Sequence, residues 1–233
     1  MSKIELSNHD IKRNLILPKL PSKELAEFVG IIIGDGYLYH KQNKYVMGIV
    51  GNPKTDLAYF THIQHLILTL FNIATKIKVG GRGLRIVFNS KGVFYLLNKV
   101  MGIHYGRGKG KNVRIPALIL KNDILDKSAL RGIFDTDGTI FTSYKKGCPD
   151  YPCIELTTTS INLAKEVKMA LAKNGFRVAG IRHYKYKHSD LLSYKVSLYG
   201  KNNMLLWFRK IGFSNPLKQD RLIKIIKNGN GRI

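Results

Sequence analysis

The chain repeats itself once, and that restricts its fold to two copies of one unit. Leu25–Tyr37 reads LAEFVGIIIGDGY and Leu130–Thr139 reads LRGIFDTDGT. Each is an apolar run with helical spacing that ends in Asp-Gly and continues into a strand-like segment. Thr55–Leu68 (TDLAYFTHIQHLIL) then corresponds to Ile161–Leu171 (INLAKEVKMAL). Leu84–Leu97 corresponds to Tyr194–Phe208, with Lys91 over Lys201, and Lys99–Ile103 to Arg209–Phe213. Segment order and type agree, and the spacing lengthens a little from pair to pair, as loop insertions produce.

Each copy reads helix, strand, strand, helix, strand, strand, helix. In the first, a helix is predicted near Ser22–Gly34 with Ser22 as N-cap. Strands follow at Tyr37–His40 and Tyr45–Val50, a helix at Thr55–Asn72, strands at Thr75–Val79 and Leu84–Asn89, and a helix at Lys91–Met101. Tyr105–Val113 (YGRGKGKNV) is glycine-rich and basic. The reading is an α+β fold of two αββαββα units: an N-terminal extension over 1–21, a first unit over 22–104, a linker over 105–126 and a second unit over 127–233.

The two aspartates carry the chemistry. Gly36 and Gly138 suit a helix stop, but Asp35 and Asp137 face the negative end of a helix dipole, which costs a few tenths of a kcal/mol or more. Doing so twice implies a compensating cation. Upstream, Gly30 and Gly34, and Gly132 and Thr136, place small residues four apart on one helix face, allowing two backbones to touch. If the two helices pack in parallel about a pseudo-twofold axis, Asp35 and Asp137 end side by side. Two such carboxylates repel, and oxygen ligands suit Mg²⁺.

Charge names the partner. The chain carries 39 Lys and Arg against 15 Asp and Glu, a net +24 shared evenly by its halves, so the basicity belongs to the folded body. That is the footprint of a nucleic-acid binder. With 44% hydrophobic residues a core is assured, which excludes wholesale disorder. No apolar run reaches the roughly 18 residues that span a bilayer, so no membrane partner is expected. Two cysteines make no disulfide framework, pointing to an intracellular setting, a prokaryotic cytoplasm ahead of an organelle.

With the motifs set out, Phe28–Gly36 (FVGIIIGDG) and Leu130–Gly138 (LRGIFDTDG) resemble the nine-residue signature of the LAGLIDADG homing endonucleases in their monomeric, two-motif form. The first copy departs from it with Ile33-Gly34 where the signature has Asp-Ala. The resemblance implies a saddle of antiparallel sheets over DNA with the motif helices at its centre. It implies a site-specific double-strand break in a long asymmetric target, by metal-dependent phosphodiester hydrolysis that leaves short 3′ overhangs. It also implies Asp35 and Asp137 as metal ligands, helped by the carbonyls of Gly34 and Thr136. Asn52 and Thr158 match polar residues ending the second strands, and Lys91 and Lys201 match basic residues assisting each site. Mg²⁺ is the expected cofactor, with Mn²⁺ substituting and Ca²⁺ binding without cleavage. The rival reading is an intron RNA maturase, with host intron RNA as partner, or a catalytically inactive DNA-binding relative. An intein setting is not expected, because the chain starts at Met1 and lacks splicing residues at its end.

The strands should read DNA in the major groove, every second side chain facing it. Counting from the aspartates gives Tyr37, Tyr39 and Lys41; Tyr45, Met47 and Ile49; and Lys76, Lys78, Arg82 and Arg85. In the second unit it gives Thr139, Phe141, Ser143 and Lys145; Tyr151, Cys153 and Glu155; and Arg182, Tyr184, Lys187 and Lys195. Gly106–Lys111 (GRGKGK) lacks phosphate-loop spacing and reads as a linker touching phosphate. His62 and His65 have no further zinc ligands near them in sequence. Cys148 and Cys153 flank a proline-marked hairpin tip and are expected as free thiols that could bridge on oxidation. Trp207 reads as core.

Overall fold

The computed structural model describes residues 4–18, 22–81, 83–106, 108–185 and 191–228. After the short helix α1 (Asn8–Lys12), the first unit contains α2 (Lys23–Ile33), β1 (Gly36–Lys41), β2 (Lys44–Gly51), α3 (Leu57–Phe71), β3 (Ile77–Gly80), β4 (Gly83–Asn89) and α4 (Lys91–Tyr95). A π-turn over Leu96–Val100 continues α4. The stretch expected as linker holds α5 (Lys109–Asn112) and α6 (Ala117–Leu120). The second unit repeats the first as α7 (Asp123–Thr136), β5 (Gly138–Lys145), β6 (Cys148–Thr158), α8 (Ile161–Lys173), β7 (Arg182–Lys185), β8 (Leu192–Tyr199) and α9 (Lys201–Lys210), and α10 (Pro216–Asn228) follows. Two four-stranded antiparallel sheets result, ordered β1-β2-β4-β3 and β5-β6-β8-β7. The duplication is thus a structural one.

Local chemistry sets the helix starts. Ser22 accepts from Leu25 N (3.1 Å) and caps α2. Asn122 accepts from Ile124 N and Leu125 N and caps α7, so that helix begins at Asp123, inside the expected linker. Asp10 of α1 is fully buried and caps another helix: it accepts from Ser90 Oγ (2.7 Å), Lys91 N (3.0 Å) and Gly92 N (3.1 Å). Burial pushes its carboxyl up, but these hydrogen bonds and those of Ser7 outweigh it and hold it far below the usual range. The N-terminal extension is thereby bound to the first unit.

The helices α2 and α7 form the centre, with Phe28, Ile31, Ile32, Leu130, Ile133 and Phe134 all buried. Their backbones touch. A Cβ on Gly30 would lie 2.3 Å from Ala129 O, and one on Gly132 would lie 2.3 Å from Glu27 O. Glycine is required at both places for this approach, and the spacing of small residues anticipated it. Trp207 is core, ringed by Phe134, Phe176 and Phe213. No described helix is long and apolar enough to cross a membrane.

Cys148 and Cys153 are free and belong to the single strand β6, five positions apart, or roughly 16 Å. The expectation that they could bridge is therefore corrected. Pro149 and Pro152 sit inside β6, in the part that precedes its pairing with β8 at Cys153, and the register shift of the hairpin falls between the Ser143–Tyr151 and Lys145–Cys148 pairs, at Pro149, so this end is irregular as expected. There a missing N–H interrupts no ladder on that side.

Candidate metal centre and nucleic-acid interface

Because α2 and α7 run in parallel, both motif ends emerge at one place. A Cβ on Gly34 would lie 2.0 Å from Thr136 Oγ1 and 3.3 Å from Asp137 Oδ2. The carboxylate of the second motif therefore lies against the end of the first. Asp35 is half-buried and Asp137 exposed. A cleft of about 470 Å³ opens here, lined by Gly34, Tyr37, Asp137 and Thr157 and walled by the linker glycines Gly106, Gly108 and Gly110. The donor set is carboxylate and carbonyl oxygen, with no cluster of three or more His, Cys, Asp or Glu among the described residues. Such hard oxygens fit a Mg²⁺-type ion that keeps water and takes ligands from a phosphate. The residues expected to hold one are Asp35, Asp137 and the Gly34 carbonyl, and of these Asp137 lies against Gly34. The Thr136 carbonyl also accepts from Lys218 Nζ, at 3.1 Å.

Below the cleft lies an inter-unit polar cluster. Glu27 of α2 meets His62 Nε2 (2.8 Å), Ser214 Oγ (2.7 Å) and, at 3.5 Å, Arg131 of α7. Burial raises Glu27, but the His62 and Ser214 hydrogen bonds and the His62 and Arg131 charges prevail and lower it. The hydrogen bond to Glu27 raises His62. Burial raises Asp135 to about 7, although it accepts from Ser214 N and Asn215 N, both at 3.0 Å. Burial lowers Lys218 against the opposing charges of Asp135, Asp35, Asp56 and Asp137.

Each sheet turns one face away from the helices. On β1 the outward residues are Tyr37, Tyr39 and Lys41. Opposite residues share a face, and Tyr37 pairs with Gly48 and Tyr39 with Val46. The outward residues of β2 are thus Val46, Gly48 and Val50; the Tyr37 ring lies where a Gly48 Cβ would be, 2.2 Å from it. This corrects the assignment of Tyr45, Met47 and Ile49. Met47 and Ile49 are fully buried, and Tyr45 packs half-buried against His40 and Phe94. The two-residue turn after Lys41 makes odd positions face even ones, and counting odd numbers across it flipped the strand. In the second unit the same count holds. A bulge between Ser143 and Lys145 adds one residue, so Thr139 pairs with Glu155, Phe141 with Cys153 and Ser143 with Tyr151. All six face outward, although Cys153 and Glu155 are themselves buried. Lys145 lies over the Tyr151 ring.

Lys78 pairs with Arg85, which pairs with Val50 beside the Asp35 end. Arg182 pairs with Lys195, which pairs with Thr157 at the Asp137 end. The two sheets thus carry equivalent basic pairs. In the second they hold an acid: Glu155 accepts from Lys195 Nζ (2.5 Å), Ser197 Oγ (2.8 Å) and Arg182 (3.1 Å). Glu155 is therefore an organiser of cations rather than an unengaged base reader. Tyr184 lies under Lys195, and Lys76 is exposed just ahead of β3. Arg82 and Lys187 lie outside the described residues.

The structure does not bring Lys91 or Lys201 to the aspartates. Lys91 follows Asn89, which pairs with Val46, whereas Asp35 adjoins the Gly36–Ile49 pair. The offset is roughly 13 Å along the strands. Lys91 instead meets Glu5 at 2.6 Å, over the Tyr45 and Tyr95 rings. Lys201 follows Tyr199, which pairs with Cys153, likewise the far end from Gly138–Leu156. Asn52 and Thr158 are also not structural equivalents. Gly36 opposite Ile49 and Gly138 opposite Leu156 match Val50 to Thr157 and Asn52 to Thr159. Asn52 shapes its own loop, its Oδ1 accepting from Lys54 N and its N–H donating to Asp56. Thr158 is buried and accepts from Ser160 N. Val46, Gly48, Val50, Thr157 and Lys218 were missed; for the β2 residues the signal was the length of the hairpin turn.

Residues 125–212 match the family of LAGLIDADG-like domains. The chain is similar to a replication factor C small subunit of Methanocaldococcus jannaschii, 31% identical over 210 residues, covering 90% of this chain and 10% of that protein. It is also similar to a glutamine–fructose-6-phosphate aminotransferase of the same organism, 28% identical over 217 residues, covering 92% and 18%. The chain thus spans only about a tenth to a fifth of these relatives. Among solved structures it is similar to I-DmoI in complex with DNA and Ca (TM-score 0.59, 19% identity, 87% of this chain and 96% of that one). It is similar as well to the homing endonuclease I-WcaI bound to its DNA recognition sequence (TM-score 0.59, 15% identity, 94% and 91%). The N-terminal LAGLIDADG domain of DUF199/WhiA matches at TM-score 0.51 and 16% identity, covering 95% and 100%. These likenesses show the fold.

Proposed function

We propose that this two-motif LAGLIDADG protein is a site-specific DNA endonuclease that breaks both strands of a long asymmetric target by metal-dependent hydrolysis, leaving short 3′ overhangs. The family resemblance is supported by the match over residues 125–212, and the likeness of fold extends over both halves. The observation that carries the reading is the meeting of the two Asp-Gly ends, Asp137 against Gly34, between two sheets with basic outward faces. The solved relatives named with DNA support double-stranded DNA as partner. Matches within two differently named proteins of one organism support a mobile module, as homing requires.

Asp35, Asp137 and the carbonyl of Gly34 would hold Mg²⁺ or Mn²⁺. When bound, the ion supplies a nearby positive charge for the phosphodiester and acidifies water. The chain's own part is to orient and to exclude. Lys78, Arg85, Arg182 and Lys195 hold backbone phosphates. Arg85 and Lys195, nearer the aspartates than Lys91 and Lys201, are the basic groups assisting each site. Tyr37, Tyr39, Thr139, Phe141 and Ser143 face the groove, where their differences read an asymmetric sequence. The protein acts as a monomer, since one chain supplies both halves.

The test is cleavage selection from a DNA library in Mg²⁺ by wild type, Asp35→Asn and Asp137→Asn. One long site cut by wild type alone is expected, with both variants still binding it in Ca²⁺. Full double-strand cutting by either variant would refute the assignment. Binding to structured intron RNA that survives loss of both aspartates, without DNA cutting by wild type, would establish the maturase instead.

A further inference from the structure

Lys218 has nothing in its sequence context to mark it, being one lysine in a basic amphipathic helix. The fold carries α10 to the C-terminal end of α7. There Lys218 Nζ donates to the carbonyls of Phe134 (2.9 Å), Asp135 (2.7 Å), Thr136 (3.1 Å) and Gly138 (2.6 Å). An ammonium has three protons, so four oxygens about one nitrogen resemble a cation in a carbonyl cage. The start of α10 is held there independently: Asp135 accepts from Ser214 N and Asn215 N, and Arg221 donates to Ile140 O at 3.2 Å. A lysine in the last turn of its own helix is the usual way to satisfy terminal carbonyls. This one arrives from some 80 residues further on.

Its position also faces the negative charges of Asp135, Asp35, Asp56 and Asp137. The end of α7 presents the negative pole of the helix dipole, Asp137 follows it directly, and the end of α2 with Asp35 adjoins it. The cage includes the Thr136 carbonyl, one of the oxygens expected to hold the divalent ion.

We propose that Lys218 is a resident cation of the second motif, which fixes the turn presenting Asp137 before a divalent ion arrives and moderates how tightly that ion is held. The proposal rests on the metal-centre reading above. A positive charge in the cage repels the incoming ion and already engages the Thr136 carbonyl that the ion could otherwise use. Removing the charge while keeping donors should tighten divalent binding by about tenfold, since one unit charge acts on a divalent ion at short range. It should also loosen the turn when no ion is present.

The experiment uses the full chain without DNA, so that no target need be known. Mn²⁺ binding is followed by electron paramagnetic resonance for wild type, Lys218→Gln, Lys218→Arg and Asp137→Asn, and melting is recorded in EDTA. Lys218→Gln is expected to bind Mn²⁺ about tenfold more tightly and to melt lower in EDTA. Lys218→Arg keeps the charge and should stay within about twofold of wild-type affinity. Lys218→Gln binding no more tightly than wild type, while Asp137→Asn loses binding, overturns the proposal and leaves the metal centre standing. Asp137→Asn binding as wild type overturns the metal centre, and the proposal with it. A Lys218→Gln chain that folds only with Mn²⁺ supports the proposal; one that stays unfolded with Mn²⁺ overturns it, because the lysine is then structural alone.

Discussion

Replacing Gly132 with alanine sets two effects of opposite sign against each other. Alanine in a helix interior is favoured over glycine by about 1 kcal/mol, so propensity alone predicts a more stable protein. The new Cβ, however, would sit 2.3 Å from Glu27 O, 2.8 Å from Ile31 N and 3.1 Å from Gly30 C, all backbone atoms that no rotamer change relieves. Ordinary contact requires α2 and α7 to part by close to 1 Å, and a gap of that size forfeits a quarter to a half of each dispersion contact across it. A buried leucine-sized side chain makes contacts worth several kcal/mol in total, and Phe28, Ile31, Leu130 and Ile133 are all buried in the core these helices share. The packing loss is about 4 kcal/mol, and the net is a destabilisation of about 3 kcal/mol after propensity is credited. For a chain of this size that lowers the melting temperature by about 6–12 °C. Gly30→Ala, 2.3 Å from Ala129 O, should behave alike. The double variant should lose less than the sum, because one separation accommodates both methyls. Gly180, with nothing within 4 Å of its added Cβ, is the control and should shift by less than about 0.5 kcal/mol. Scanning calorimetry decides the matter. A Gly132→Ala chain that melts at or above wild type would refute the close-packed helix crossing.

Stability should fall as pH rises from 6 to 8. His62, raised by Glu27, stabilises fully below its unfolded value near 6.5 and loses this as pH climbs through its higher folded value; Asp135, raised to about 7, acts in the same direction. A loss of at least about 1 kcal/mol, or 2–4 °C, is expected, and Asp135→Asn should flatten the profile; an unchanged slope in that variant would contradict the assignment. Asp10→Ala, which strips three donors around the start of α4 of a buried acceptor, should cost about 3 kcal/mol, read by chemical denaturation. Acid should weaken the same contact as pH falls below about 4, since Asp10 is held low in the fold. Mild oxidation should yield no intramolecular Cys148–Cys153 bridge by mass spectrometry, because the two thiols stand five positions apart on one strand. Binding to DNA should weaken with salt, and Lys78→Ala and Arg85→Ala should each reduce the slope of log affinity against log salt by about 1.

Much of this was legible in the chain itself. Repetition announced two units, apolar runs closed by Asp-Gly announced the motif helices, and Gly30 and Gly132 announced their contact, because all of these are local patterns of period, capping and side-chain size. The outward face of the second sheet was legible by parity only because a bulge at Ser143–Lys145 restored it. In the first sheet an unbulged two-residue turn reversed the face, and Tyr45, Met47 and Ile49 turned inward. Strand pairing is a relation between two segments, and a shift of one residue exchanges the faces without changing either segment's pattern. Tertiary structure alone decided the rest. It set Lys91 and Lys201 at the starts of α4 and α9, beyond the far ends of β4 and β8, and it seated Lys218 on the carbonyls at the end of α7. Composition and periodicity describe what a segment is able to bury; which distant segment supplies the partner is fixed only when the whole core closes.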